Sequence, residues 1–324
     1  MNDVASPRPR RFDREVDGIL LLDKPTGISS NAALQQARRL FRALKAGHAG
    51  SLDPLASGLL PVCFGQATKV CGQLLESAKA YRVVARLGEQ TDTADAEGQV
   101  IATRPVPPLD RNEVEAVVAR FLGDQTQVPP MYSALKHGGK RLYELARRGE
   151  TVDRAARSIH IGSIEVLRVD LPEVELEVAC SKGTYIRTLV EDIARALGTV
   201  GHVAVLRRLR VDAFGRPAMV TLAELEAAAA SGDAAALASF LLPIDHVFMH
   251  LPRVDVDEAG ERDLVHGRRT WPAPGTSAPA GGRQARAYGP AGQFIGLVEG
   301  QPDGGLQPQR LFVRAAGLPV SGPG

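Results

Sequence analysis

The chain has 324 residues, 44% hydrophobic and 23% charged, so it can bury a sizeable core and is long enough for more than one domain. A net charge of only +2 excludes nucleic-acid binding by bulk charge and leaves any such role to local patches. No apolar run reaches the roughly 18 residues of a membrane span, and residues 1–16 are polar and arginine-rich without a signal-peptide core, so the expectation is a cytoplasmic protein with a disordered basic N-terminal tail and no membrane partner.

Residues 18–22, GILLL, read as a buried strand, broken by DKPTG at 23–27. Ser29 or Ser30 can cap a helix expected to run to about Lys45, with Ala33, Ala37, Leu40, Phe41 and Leu44 inward, and to end at Gly47. Arg38, Arg39, Arg42 and Lys45 lie in its C-terminal half, where cations suit the helix dipole. Residues 47–61, GHAGSLDPLASGLLP, carry glycines and prolines that predict a shaped loop, not a helix or a regular strand. Asp53 is the loop's one acid and the first since Asp23. An Asp-Pro pair commonly starts a turn. A lone carboxylate among bases also suits chemistry on a polyanion, although the local pattern by itself favours the turn.

A strand at 60–64 and a short helix near 68–77 follow. In residues 80–87, AYRVVARL, Tyr81, Val83, Ala85 and Leu87 alternate onto one face of a strand. Tyr81 suits a core position, or a site where its ring stacks on a base and its hydroxyl moves a proton. The acidic turn loop GEQTDTADAEG at 88–98 lacks the terminal glutamate of an EF-hand and predicts no metal. Residues 105–108 form a linker, and Asp110 with Glu113 forms a capping box for a helix with Val114, Val117, Val118 and Phe121 inward.

Residues 129–157 hold seven Lys or Arg against three acids, with Tyr132, His137 and Tyr143 interleaved. That mixture fits RNA phosphates and unstacked bases, or a solvated helical hairpin. Strands are expected at 159–169 and 173–180, the second half-buried through Val174, Leu176, Val178 and Cys180. CSKGTYIR at 180–187 leads a helix ended by Gly198, whose dipole disfavours Arg187 in the first turn. GHVAVLRRL at 201–209 reads as a closing strand, and Thr221 with Glu224 caps an alanine-rich helical region to about Leu242. From 251 the composition shifts to short β-like runs at 253–256, 284–288, 293–298 and 307–314 around a Pro/Gly-rich loop at 271–282. Cys63, Cys71 and Cys180 form no C-x-x-C pair and no zinc spacing, so they read as reduced thiols, with no metal.

The run GHAGSLDPLASGLLPVCFGQATK resembles the signature loop of the TruB family of tRNA pseudouridine synthases. The family's further elements recur in order: Lys24-Pro25, Lys79-Ala80-Tyr81, the loop at 88–98, PPMYSALK at 129–136, CSKGTYIR at 180–187 and HVAVLRR at 202–208. The resemblance implies an α+β fold, with a long mixed, mostly antiparallel sheet flanked by helices, an RNA-gripping insertion at 129–157 and a small C-terminal PUA-like β domain. The implied domains are a synthase domain at 17–245 and the β domain at 251–324.

It implies that Asp53 is the nucleophile, that Tyr81 stacks on the base and handles a proton, and that Arg187 pairs with Asp53. His48, Tyr81, Tyr185 and Leu206 would bind the flipped uridine. Lys136, Lys140, Arg141, Arg147, Arg148, Arg207 and Arg208 would meet the RNA backbone, while Lys24 and Pro25 would be structural. The implied function is isomerisation of the T-loop uridine (U55) of tRNA to pseudouridine, by a monomer with no cofactor and no guide RNA. The alternatives are a non-catalytic RNA-binding or tRNA-folding module and a guide-RNA-dependent, dyskerin-like synthase. A glycosidase would need a second carboxylate about 5–9.5 Å away, which neither motif loop clearly supplies.

Overall fold

The apolar run GILLLDK forms strand β1 (Gly18–Lys24), almost wholly buried because both faces of the sheet are covered here. The computed structural model describes residues 12–133, 135–146 and 148–312. Helix α1 (Ser30–Phe41) is capped by the Ser29 hydroxyl, which accepts from the Ala32 amide at 3.1 Å. It stops at Phe41, earlier than expected, because Arg42 adopts a left-handed conformation (φ 53°) and its amide closes onto the Arg38 and Arg39 carbonyls. Helix-ending αL residues are usually glycine. Arg42 is instead held by a bidentate pair with Asp13. Leu44 therefore lies outside the helix and is exposed. Residues 12–16 are not a free tail: Asp13 and Arg14 donate to the Arg42 carbonyl at 3.0 Å, and the Arg38 guanidinium lies over the Phe12 ring.

The glycine-rich motif is a loop only in its middle. Its ends are strands β2 (Ala46–His48) and β3 (Ser57–Phe64), which pair with each other, and β3 also pairs along the whole of β1. Helix α2 (Cys71–Glu76) leads to β4 (Lys79–Leu87). The acidic loop is the turn of a hairpin, β5 (Glu89–Thr91) with β6 (Val100–Thr103). The predicted capping box starts α3 (Arg111–Val118). After it comes β7 (Gly123–Gln127), which the sequence hides because GDQTQ has no apolar alternation. The insertion contains β8 (Lys136–His137), β9 (Lys140–Arg141) and the short α4 (Leu142–Ala146). β10 (Arg157–Asp170) and β11 (Glu173–Cys180) follow, the latter with the expected alternation of buried apolar and half-buried acidic residues.

Helix α5 (Ile186–Ala196) and β12 (Gly201–Val211) complete the central region. β13 (Val220–Thr221), α6 (Leu222–Ala230), α7 (Ala234–Ala238) and β14 (Leu241–Leu242) follow, and α6 is opened by its predicted capping box. The large sheet runs β13-β1-β3-β12-β4-β11-β10-β7, with β14 beside β1 and β2 beside β3. β12 was made last among the central strands yet lies between β3, which it meets in parallel, and β4, which it meets antiparallel. Helices α1, α3, α5 and α6 cover one face through Ala33, Val114, Ile193 and Leu225. A second core on the other face joins Ile19, Leu59 and Leu74 to Phe248, Leu297 and Phe312.

The C-terminal unit is a four-stranded sheet of β15 (Arg253–Asp255), β16 (Gln284–Tyr288), β17 (Phe294–Gly300) and β18 (Leu306–Leu311), with its own core around Val254, Leu264 and Ile295. These strands match the expected runs, and residues 313–314 of the last run lie outside the described residues. Helix α8 (Glu258–Val265), capped by Asp257, was not expected.

Candidate active site

The loop at 49–56 is fixed from below. The Ser30 hydroxyl accepts from the Leu52 amide at 2.7 Å and donates to the Leu52 carbonyl at 3.0 Å. Lys24 is 0% exposed, and its ammonium donates to the carbonyls of Pro25 (2.8 Å), Ile28 (2.7 Å) and Pro54 (3.4 Å). An ammonium has three protons, so every one finds an acceptor and the buried charge is solvated by backbone. Burial nonetheless pulls its pKa down to about 8. The Gly27 amide donates a hydrogen bond to the Pro54 carbonyl, and the Ala56 amide closes the turn on the Asp53 carbonyl.

The resulting turn presents the Asp53 carboxylate with its side chain 44% exposed, against the guanidinium of Arg187 (Nη2 to Oδ2, 3.0 Å). Burial by the surrounding protein pushes the Asp53 carboxyl up, Arg187 opposes that rise, and the nearby Asp95 adds to it. Arg187 comes from the first turn of α5 and is itself buried. It also faces Asp95 (Nη1 to Oδ2, 3.5 Å) and donates to the Thr93 carbonyl at 2.9 Å and the Tyr132 carbonyl at 2.6 Å. These partners explain why α5 carries a cation at its N-terminus against its own dipole.

In the sequence Asp95 is one of the acids of the turn-forming loop at 88–98. It is buried, and its Oδ1 accepts from the Thr93 hydroxyl at 2.6 Å and the Glu97 amide at 3.1 Å. A second carboxylate therefore stands behind Arg187, supplied by the hairpin loop at 88–98 and by neither motif loop. Only tertiary contact distinguishes it from Asp92 in sequence.

Tyr81 lies on the face of β4 that carries Val83 and Ala85, directly across from Arg208 of β12. Burial raises its phenol pKa, and the Arg208 cation opposes the rise. Leu206, buried, is the cross-strand neighbour of Val83 on the same face. Tyr185 occupies the N-cap of α5, where the buried Gln127 amide brackets it: Oε1 accepts from the Tyr185 amide at 2.7 Å, and Nε2 donates to its carbonyl at 3.0 Å. No local pattern had pointed to Gln127. Burial and Arg208 push the His48 imidazole down, towards its neutral form, and its Nδ1 has no partner among the described residues.

The expected backbone contacts divide. Lys140 and Arg148 are exposed on the insertion, while Arg147 and the side chains of Lys136 and Arg141 lie outside the described residues. Arg207 forms a bidentate pair with Asp23, at 2.9 and 2.7 Å. Arg208 does not reach the surface: it is 1% exposed and donates to the carbonyls of Leu59 (2.6 Å) and Gly50 (3.0 Å). The site thus combines an accessible carboxylate, a guanidinium held by two acids, a phenol backed by a cation, and apolar and aromatic side chains able to hold a planar ring.

Residues 38–186 match the TruB family pseudouridylate synthase N-terminal domain, 187–249 the tRNA pseudouridylate synthase B C-terminal domain, and 252–312 the pseudouridine synthase II TruB C-terminal domain. The chain is 50% identical to tRNA pseudouridine synthase B of Sodalis glossinidius (strain morsitans) over 308 residues, 94% of this chain and 98% of the relative. It is likewise 50% identical to the protein of that name from Chromohalobacter salexigens, over 95% of this chain and 98% of the relative. Among solved structures, a chain of a Cbf5-Nop10-Gar1 complex superposes with a TM-score of 0.67 at 24% identity, covering 91% of this chain and 85% of that one. A chain of an H/ACA RNP bound to a substrate RNA does so with a TM-score of 0.68 at 22% identity, covering 92% and 85%. The structural likeness concerns the fold. Identity over nearly the whole length, together with the three matched domains, shows that this chain belongs to the TruB family of pseudouridylate synthases.

Proposed function

We propose that this protein isomerises the T-loop uridine of tRNA, U55, to pseudouridine, with Asp53 as the nucleophile. The observation that carries the reading is the Asp53–Arg187 pair at 3.0 Å, on a pinned loop that leaves the carboxylate accessible. The reaction breaks the bond from N1 of uracil to C1′ of the ribose, turns the base and forms a bond from C5 to C1′. The C5 proton leaves and N1 gains one. The ionised carboxylate supplies the electron pair that opens this sequence. The uridine leaves its stack to reach it. Tyr81, Tyr185 and Leu206 line the place for the ring, His48 supports the nucleotide, and Tyr81 takes the C5 proton. Arg187 orients the carboxylate and opposes its protonation.

The names of the near full-length relatives support tRNA as the RNA. We read the protein as an enzyme that acts alone, as a monomer without guide RNA, in a bacterial cytoplasm. The exposed Lys140 and Arg148 on the insertion suit the phosphates of the T stem-loop. No helix among the described residues is long and apolar enough to cross a membrane.

The test is tritium release from C5-labelled uridine in an unmodified tRNA transcript, comparing the protein with Asp53→Asn. Release by the unaltered protein alone, with tRNA still bound by the variant, is the expected result. Equal release by both would remove Asp53 from the mechanism. Tight binding with no release by either would favour a purely RNA-binding role, and release only after adding guide RNA would favour the dyskerin-like branch.

A further inference from the structure

Arg208 is a buried cation without a carboxylate partner among the described residues. Its neighbours Arg207 and Arg210 pair with Asp23 and Asp212, whereas Arg208 donates to the Leu59 and Gly50 carbonyls and stands directly across from Tyr81. A buried, unneutralised guanidinium is costly, and a fold keeps one where its charge is used. The backbone is shaped to admit it. Gly58 sits beside Arg208 across the parallel pairing of β3 and β12, at φ 97°, and a Cβ there would overlap the Arg208 backbone. Gly50, at φ 86°, leaves room for the guanidinium, 3.3 Å from where a Cβ would stand. Tyr81 is its direct neighbour on the other side, in register across β4 and β12.

We propose that Arg208 is a positioning residue that acts through Tyr81: clamped by two backbone carbonyls, it aims the phenol oxygen into the site and stabilises the phenolate that removes the C5 proton. The inference rests on the proposed reaction for its kinetic half. In the step, the phenolate oxygen bonds the C5 proton and becomes a phenol. The C5–H electron pair returns to the uracil ring and restores its double bond. The phenol's own proton has left beforehand to solvent. The other charged or titratable groups around the pair are Cys180 of β11, Asp53 of the loop, His48 of β2, Lys79 of β4 and Lys24 of β1. Burial above all, and then Cys180 and Asp53, disfavour the phenolate, and the Arg208 charge across the strand pair is the group that opposes them.

The experiment uses the full chain with tyrosine labelled with carbon-13 at Cζ, a resonance that reports phenol hydrogen bonding and ionisation. Tyr81 is one of five tyrosines, so its line is assigned as the one lost in Tyr81→Phe. In Arg208→Gln that line should move towards the position of a free neutral phenol. Single-turnover tritium release should fall about 100-fold, within the range of a general-base contribution, with tRNA affinity unchanged. Deuterium at C5 should slow the variant more than it slows the unaltered protein. Arg208→Lys keeps the buried charge if glutamine does not fold, and should give the same changes at about one-tenth the kinetic size. An unmoved Tyr81 line in the folded variant, or affinity falling in step with turnover as for a phosphate contact, would overturn the proposal. If the unaltered protein released no tritium, the proposed reaction would fail. The Cζ line would still decide whether Arg208 holds Tyr81.

Discussion

Two loops bring a carboxylate to the same guanidinium, and they treat it in opposite ways. The loop at 49–56 holds Asp53 with its backbone pinned by Ser30 and Lys24 while its side chain stays accessible. The hairpin turn at 92–98 folds Asp95 inward and occupies one of its oxygens with Thr93 and Glu97 before the other meets Arg187. A reactive group needs a rigid base and an uncommitted head. A supporting group needs its lone pairs filled. The difference lies in what each loop does with its hydrogen bonds, since both residues are aspartates facing one arginine.

Two variants and a pH–rate profile bear on that contrast. Asp53→Asn should abolish turnover, a loss on the order of 10⁴-fold or more in single-turnover tritium release, as expected when the attacking group is removed. Asp95→Asn should lower turnover about 100-fold while leaving tRNA affinity unchanged, because Arg187 loses one of the two acids that orient it. The same change should cost about 3 kcal/mol in denaturant unfolding, since a buried cation loses an ionic partner. A variant with full turnover would erase the distinction between the two loops.

The third measurement is the pH–rate profile. Burial raises the Asp53 carboxyl, so activity should fall as the pH drops through a midpoint above the ~3.9 of a free aspartate. A midpoint at or below that value would mean that Arg187 dominates. The smallest effect concerns stability. A carboxyl whose folded-state pKa is raised above its unfolded value makes the folded state bind more protons, so ionisation of Asp53 disfavours folding at neutral pH. Asp53→Asn should therefore unfold no more easily than the unaltered protein at pH 7. The stability penalty should belong to Asp95 alone.

Much of this architecture was legible because the signal was local. The Ser29 cap, the two capping boxes, the alternation of β11 and the C-terminal strands follow from neighbouring residues, and each formed where expected. Asp53 and Arg187 were legible through the resemblance to the TruB family, and they meet. What stayed hidden depends on distant partners. The end of α1 rests on Asp13, β7 on β10, Asp95 on α5, and the bracket on Tyr185 on Gln127. Arg208 misled for the same reason: the stretch LRRLR offers three arginines in a row of five residues, and only their register in β12 separates the buried one from its half-buried neighbours.

The order in which the strands are joined also bears on how the protein is made. β12 lies between β3 and β4, both of which leave the ribosome long before it does. Until it arrives, the nascent chain carries at its centre the open edge of β4 and the part of the β3 edge that β2 leaves uncovered, each a template for pairing with a neighbour. Insertion of β12 closes both edges at once and delivers Leu206 and Arg208 to Tyr81 in the same event. The site therefore comes into being only when the sheet is sealed, and a chain halted before β12 would be both inert and prone to aggregate.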